Sequence, residues 1–114
     1  MEMNHEVKEG VLVIELTGHL LGAQANAAVM SIVLQNIEGG VKKVVFNLKG
    51  VNYVDSAGLG MLLSASSKIK NAGCRLVICS LSDQVVKLLK TTKVESVFKI
   101  AADEPAAIAL LNAA

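Results

Sequence analysis

The sequence predicts a single α/β domain over residues 1–114, with a mixed, mostly parallel β-sheet packed against about four helices. Segments of strand character alternate with segments of helical character, an order that brings parallel strands together through right-handed crossovers. The chain has 114 residues, the size of one ordinary domain, and 53% of them are hydrophobic, so it can bury a core. Its charged residues amount to 18%, which excludes the composition of a disordered chain.

Five short apolar segments, rich in β-branched residues, are predicted to form strands. In chain order they are Met3–Lys8, Val11–Leu16, Lys43–Leu48, Arg75–Cys79 and Val97–Ile100. The first is the weakest, and it can pair with the second across a turn at Glu9-Gly10. The runs VVF and LVIC are apolar at every position, which indicates strands that are covered on both faces.

Four segments have the apolar spacing of helices. The first extends from Ala23 to Ile37 and ends at Gly39-Gly40, because glycine readily adopts the conformation that closes a helix. The second extends from Ser56 to Ala72 and ends at Gly73. Its inward stripe is predicted to comprise Leu59, Leu62, Leu63, Ser66 and Ile69.

The last two helices are predicted from the residues that open them. Ser82 is the expected N-cap of the third helix, since its hydroxyl can accept a hydrogen bond from a free backbone N–H. Asp103 and Pro105 open the fourth, because proline has no N–H to lose in the first turn of a helix.

Charge and aromatic content argue against a nucleic-acid binder. The 11 basic and 10 acidic residues give a net charge of +1, without the basic excess that neutralises phosphates. Three aromatic residues are too few for a base-stacking surface. The longest apolar run, Ala106–Leu111, has six residues against the ~20 that span a bilayer, and the polar N-terminus has no signal-peptide pattern. We expect a soluble, cytoplasmic protein.

The cysteines and histidines predict neither a disulfide nor a metal site. Cys74 and Cys79 are five residues apart, which on a strand places them on opposite faces as buried free thiols. His5 and His19 lie in different segments without ligand spacing. We expect no metal and no cofactor.

The motifs of common enzyme classes are missing from the sequence. A nucleophile elbow would need glycine where Val54 precedes Ser56 by two positions. Gly58-Leu59-Gly60 begins like a dinucleotide fingerprint, but Leu63 occupies the third glycine position, and no phosphate-binding loop ends in Gly-Lys-Ser/Thr. We therefore predict no catalytic residues and no enzymatic activity.

The start of the second helix departs from ordinary helix composition. Gly58 and Gly60 both fall in its first turns, where each costs about 1 kcal/mol relative to alanine. Close packing on the sheet would explain them, and so would a surface kept bare for another molecule. Small residues continue along one stripe, formed by Ser56, Gly60, Ser64 and Ser67. Such a stripe fits a docking surface or plain exposure to solvent, and the sequence does not separate the two.

The segment VNYVDSAGLGMLL, with VVFNL before it and KNAGCRLVICSLSDQVVKLLKTT after it, resembles the STAS-domain family, specifically bacterial anti-sigma factor antagonists. The resemblance covers essentially the whole chain. It implies a phosphorylatable serine at the start of the second helix, which is Ser56 here. In that family the unmodified antagonist binds an anti-sigma factor that is also an ATP-dependent serine kinase. Phosphorylation ends the binding, and a serine phosphatase restores it.

The resemblance and the small stripe together predict a partner-contact surface around Ser56. Its residues are Asp55, Ser56, Ala57, Gly58, Gly60, Met61, Ser64 and Ser67. A phosphate on Ser56 should leave the fold intact, because the helix N-terminus favours negative charge. The oligomeric state stays open.

Three positions depart from the family pattern. Leu21 stands where the family often has an acid near the phosphorylation site, Ala57 replaces a frequent second serine, and Lys93 stands where glycine is frequent. The first departure leaves two alternatives open. One is a STAS scaffold or accessory subunit of a stress-signalling complex or lipid-transport ATPase, and the other is a stand-alone STAS protein that binds a small ligand or nucleotide.

Overall fold

The computed structural model describes residues 2–20 and 22–113. Within these ranges five strands, four helices and one 3-10 turn follow one another along the chain. The strands are β1 (Glu2–Lys8), β2 (Val11–Leu20), β3 (Lys43–Val54), β4 (Arg75–Cys79) and β5 (Lys99–Ala101). The helices are α1 (Gly22–Glu38), α2 (Ser56–Asn71), α3 (Asp83–Thr91) and α4 (Glu104–Asn112), and the 3-10 turn is Glu95–Val97. The predicted α/β class is confirmed.

The sheet has the order β1-β2-β3-β4-β5, so each strand lies beside its neighbour in sequence. β1 and β2 are antiparallel and are joined by the two-residue turn Glu9-Gly10, where both residues have positive φ (51° and 78°). Two positive φ values are typical of the hairpin turn whose twist matches that of the strands. All later pairs are parallel. The sheet is therefore mixed and mostly parallel, as predicted.

Each face of the sheet carries a core. The larger core lies under α1, α2 and α3 and receives Leu12, Ile14 and Phe46 from the strands. The smaller core lies under α4 and receives alternate residues of the same strands, such as Val13 and Val45. This explains the apolar runs in the sequence, because successive side chains of a strand point to opposite faces. Cys74 and Cys79 are buried free thiols in different cores.

Several boundaries differ from the prediction. β2 and β3 continue past Leu16 and Leu48, because they pair with each other as far as Leu20 and Val54. Gly50 lies opposite Thr17 in this extension, and a Cβ on Gly50 would come within 2.5 Å of Thr17 Cγ2, so the strands can approach here only without that side chain.

The predicted last strand begins too early. Val97 belongs to the 3-10 turn, and pairing of β5 with β4 starts only at Lys99 opposite Val77. Phe98 between them is buried in the larger core. The apolar side chain of Phe98 therefore fixes the 3-10 turn to the core and does not belong to a strand residue.

Three helices end in the same way. At the ends of α1, α2 and α3, residues Gly40, Gly73 and Lys93 have φ values of 103°, 77° and 60°. In each case the following N–H donates to the carbonyl five residues earlier, as in Val94 to Leu89 at 3.1 Å. Lys93 stands where the family frequently has glycine, a departure that would suggest a different helix stop. The structure instead shows the usual left-handed stop with lysine in place of glycine.

Candidate functional site

The start of α2 lies at the carboxyl end of the parallel strands. β3 ends at Val54 and α2 begins at Ser56, so a single residue, Asp55, connects them. Asp55 is extended (φ −85°, ψ 179°), and its Oδ1 accepts a hydrogen bond from the Gly58 N–H at 2.6 Å. It is therefore the N-cap of α2. Its carboxylate holds the helix start in place and also adds negative charge next to Ser56.

Ser56 occupies the first helical position and is exposed. Its hydroxyl makes no hydrogen bond with any other described residue. Since the cap is provided by Asp55, the Ser56 oxygen is not needed to close the helix end. Ser56 therefore presents an unbonded hydroxyl at the positive end of the helix.

The glycines of the first turns have different roles. Gly58 is buried and donates its N–H to the cap. Gly60 is exposed, and a Cβ added to it would meet no atom of the described chain within 4 Å. Close packing therefore does not explain Gly60. The absence of a side chain there leaves the surface beside Ser56 bare.

The helix face that contacts the core is rotated relative to the prediction. The buried residues are Gly58, Met61, Leu62, Ala65, Ser66 and Ile69. Leu59 and Leu63 are only half-buried. Met61 was expected at the partner-contact surface, but its side chain is 1% exposed and lies in the larger core. We leave Met61 out of that surface, and Gly58 contributes to it only by holding the cap.

The remaining predicted positions do share one side of α2. Ser56, Ala57, Gly60 and Ser67 are exposed, and Asp55 and Ser64 are half-buried. We call these six residues the α2 face. Leu21, the position of the missing acid, lies outside the described residues, as does the side chain of His19. The backbone of β2 reaches this region, because Leu20 pairs with Val54.

Sequence reasoning missed a groove at the residues that directly precede Asp55. A cavity of about 260 Å³ lies between the end of β3 and α3, and it is lined by Asn52, Tyr53, Val54, Gln84, Val85 and Leu88. Tyr53 is 53% exposed although it sits in a strand. The sequence feature that could have indicated this groove is Tyr53, the chain's single tyrosine, two residues before Asp55.

The groups with shifted pKa values belong to other parts of the molecule. Lys8 Nζ lies 2.9 Å from Glu104 Oε2 and 3.1 Å from Glu6 Oε1, and these hydrogen bonds raise the pKa of Lys8 from 10.5 to about 12. The hydrogen bond from Lys8, helped by one from Asn47 Nδ2 at 3.2 Å, lowers the pKa of Glu104. Burial raises the pKa of Cys79 from 9.0 to about 11. These contacts stabilise the fold and provide no acid or base near Ser56.

Among residues 2–20 and 22–113, no three His, Cys, Asp or Glu side chains are grouped so that they could hold a metal ion. Over the same part of the chain, no helix has both the length and the apolar character to cross a membrane.

Comparison with known proteins matches this geometry to a family. The chain is 26% identical over 114 residues to BtrV of Bordetella bronchiseptica, which is named as an anti-sigma factor antagonist, with 100% of this chain and 97% of BtrV covered. A Thermotoga maritima protein described as an anti-sigma factor antagonist has a TM-score of 0.83 at 18% identity, with 97% of this chain and 95% of that one covered.

The Bacillus protein SpoIIAA, an anti-sigma factor antagonist, is similar in two states. Its unphosphorylated form has a TM-score of 0.76 at 22% identity, covering 96% of this chain and 95% of that one. Its phosphorylated form has a TM-score of 0.71 at 21% identity, covering 96% and 99%. At these identities the likeness concerns the fold. The model of the STAS domain family matches residues 2–107. The chain therefore belongs to the STAS domain family.

Proposed function

We propose that this protein is an anti-sigma factor antagonist, a binding module whose α2 face contacts an anti-sigma factor while Ser56 is unmodified. Phosphorylation of Ser56 by that partner, an ATP-dependent serine kinase, ends the contact, and a serine phosphatase restores it. The observation that carries the proposal is the exposed Ser56 hydroxyl at the first position of α2, next to a glycine that no packing requires.

The capping arrangement supports a modification that leaves the fold intact. A phosphate on Ser56 would carry about −1.5 to −2 charges at the positive end of α2, where anions contribute about 0.3–1 kcal/mol of stability. Because Asp55 makes the capping hydrogen bond, modification of Ser56 breaks no hydrogen bond within the described chain. The similarity of the fold to SpoIIAA in both phosphorylation states is consistent with this expectation.

Electrostatics explain how the phosphate would end the binding. Asp55 already places one carboxylate beside Ser56. Against a partner carboxylate ~5 Å away, each added charge costs about 3 kcal/mol at an effective dielectric constant of ~20. That cost corresponds to roughly a hundredfold loss of affinity. The phosphate would also fill the bare surface at Gly60.

The test is affinity capture from the native host, followed by identification of the bound protein and mass analysis after incubation with ATP. Wild type should retain an anti-sigma factor kinase and gain one phosphate on Ser56. Ser56→Ala should bind without being phosphorylated, and Ser56→Asp should bind much more weakly. Ser31→Ala, at an exposed serine of α1 outside the α2 face, serves as a matched control that behaves like wild type. Phosphate on another residue, or equal binding by the Ala and Asp variants, would rule out the proposed switch.

A further inference from the structure

We propose that the protein has a second binding site, far from Ser56, which takes a small organic anion with an apolar body. A cavity of about 410 Å³ lies at the opposite end of α2, a volume within the usual range of ligand pockets. It is lined by Ser66, Lys70, Cys74, Arg75, Leu76, Val77, Ser96, Val97, Phe98, Lys99 and Leu111. Along α2, Ser56 and Lys70 are about 21 Å apart, at 1.5 Å per residue.

The topology of the sheet creates this cavity. The pairing of β4 with β5 begins at Val77 opposite Lys99, so the first two residues of β4, Arg75 and Leu76, have no strand beside them on that side. The chain forms the 3-10 turn there instead. The result is an open cleft between the end of α2, the start of β4 and the turn.

The charges that line the cleft have one sign. Lys70, Arg75 and Lys99 contribute three positive charges, and no acidic side chain lines the cleft among the described residues. Neither lysine forms an ion pair with another described residue. Lys70 also complements the carbonyl end of α2, but that role would not require two more cations around one cavity. A pocket with three cations that have no ion-pair partner among the described residues attracts an anion.

The arginine of the cleft is held in place while keeping free donors. Arg75 donates to the carbonyl oxygens of Leu110 at 3.2 Å and Leu111 at 3.4 Å, at the end of α4. A guanidinium group has five N–H donors, so these two bonds leave others for a ligand. The hydroxyls of Ser66 and Ser96 line the same cavity and can also donate.

The rest of the lining selects for an apolar body on the anion. Leu76, Val97, Phe98 and Leu111 supply aliphatic and aromatic surface. Val97 is 44% exposed, unusually open for a large hydrophobic side chain at the rim of a pocket. A ligand that covered it would gain hydrophobic stabilisation, which inorganic phosphate cannot. The favoured class is therefore an aromatic or aliphatic carboxylate, sulfonate or phosphate ester.

The probe for the test is 8-anilinonaphthalene-1-sulfonate, titrated into the folded protein and followed by amide chemical shifts. Binding should be saturable, with shifts at Ser66, Lys70, Val97 and Lys99 and none at Ser56. Two control ligands should bind at least tenfold more weakly than the probe. Inorganic phosphate lacks the apolar body, and 1-naphthylmethylamine lacks the negative charge.

Paired variants assign the site. Lys70→Gln and Lys99→Gln should each weaken probe binding about tenfold, the loss expected for one charged hydrogen bond. The matched control Lys87→Gln with Lys90→Gln removes two exposed lysines of α3 outside the cleft and should leave binding unchanged. Non-saturable binding of the probe, or chemical-shift changes outside the cleft, would overturn the proposal. It would also be overturned if the cleft variants bound the probe as tightly as wild type does. The same holds if phosphate or 1-naphthylmethylamine bound wild type as tightly as the probe. None of these outcomes bears on Ser56.

Discussion

The carboxylate of Asp55 accepts a hydrogen bond from the Gly58 N–H at 2.6 Å, so the residue that caps α2 is the one immediately before Ser56. Capping the helix and presenting a free hydroxyl are therefore done by two residues, although a single serine could have done both. Asp55 fixes the helix start, and the Ser56 hydroxyl remains available. A phosphorylation switch benefits from that separation, because its two states then share one fold.

The first prediction concerns the cap itself. Asp55→Ala should lower the free energy of unfolding by about 1 kcal/mol, because the Gly58 N–H loses its acceptor. Asp55→Asn should keep most of that stability, since the amide oxygen can still accept. Urea unfolding of the three proteins checks this. If the alanine variant were as stable as wild type, Asp55 would not be the structural cap.

The second prediction concerns Gly60. Gly60→Ala should raise the stability by up to about 1 kcal/mol, because alanine is the better helix former and a Cβ there meets open space. Gly60→Leu should fold as well, yet weaken binding of the anti-sigma partner because its side chain protrudes from the α2 face. Thermal melting and partner titration measure the two effects separately. A leucine variant with wild-type affinity would place the interface elsewhere.

The third prediction concerns the end of α3. Lys93 has a positive φ of 60°, at the same point of the helix stop where α1 and α2 have glycine. Lys93→Gly should therefore stabilise the protein by about 1 kcal/mol, and the reciprocal Gly73→Lys should destabilise it by a similar amount. Each change corresponds to a shift of about 4 °C in Tm. A lower Tm for Lys93→Gly would contradict the left-handed assignment.

The fourth prediction concerns acid. The hydrogen bond from Lys8 lowers the pKa of Glu104, so the ionised carboxylate is favoured in the folded state. Its contribution to stability is complete above the ordinary pKa of 4.5 and is lost as the pH falls through the lowered folded value. Glu104→Gln should therefore be less stable than wild type at pH 7 and approach it near pH 3. Urea unfolding at both pH values tests this, with Glu95→Gln as the control.

The sequence predicted the fold well because the elements carry strong local signals. The apolar runs, the glycines after α1 and α2, and the capping residues Ser82 and Asp103 each act over a few neighbours. The sequence analysis placed Met61 on the exposed side of α2, whereas its side chain is buried in the core. One residue corresponds to 100° of helix rotation, and only the contacts with the sheet fix which side of the helix faces inward. Tertiary packing supplies that information.

The cationic cleft shows the other limit of sequence reasoning. Its cations come from α2, β4 and β5, at positions 70, 75 and 99, and no local spacing relates them. They come together because the pairing of β5 with β4 begins only at Val77 opposite Lys99. The α2 face could be predicted from the sequence, since all its residues lie within one helix and the residue before it. The cleft could not.

The position of α4 has a consequence for synthesis. This helix covers the smaller core, whose strand residues Val11, Val13, Val45 and Val77 all precede it in the chain. While the polypeptide leaves the ribosome, that side of the sheet stays bare until α4 has emerged. The hydrogen bond from Lys8 to Glu104, which lie 96 residues apart, can form only after α4 has emerged. A chaperone that shields one apolar sheet surface would meet this protein at that moment.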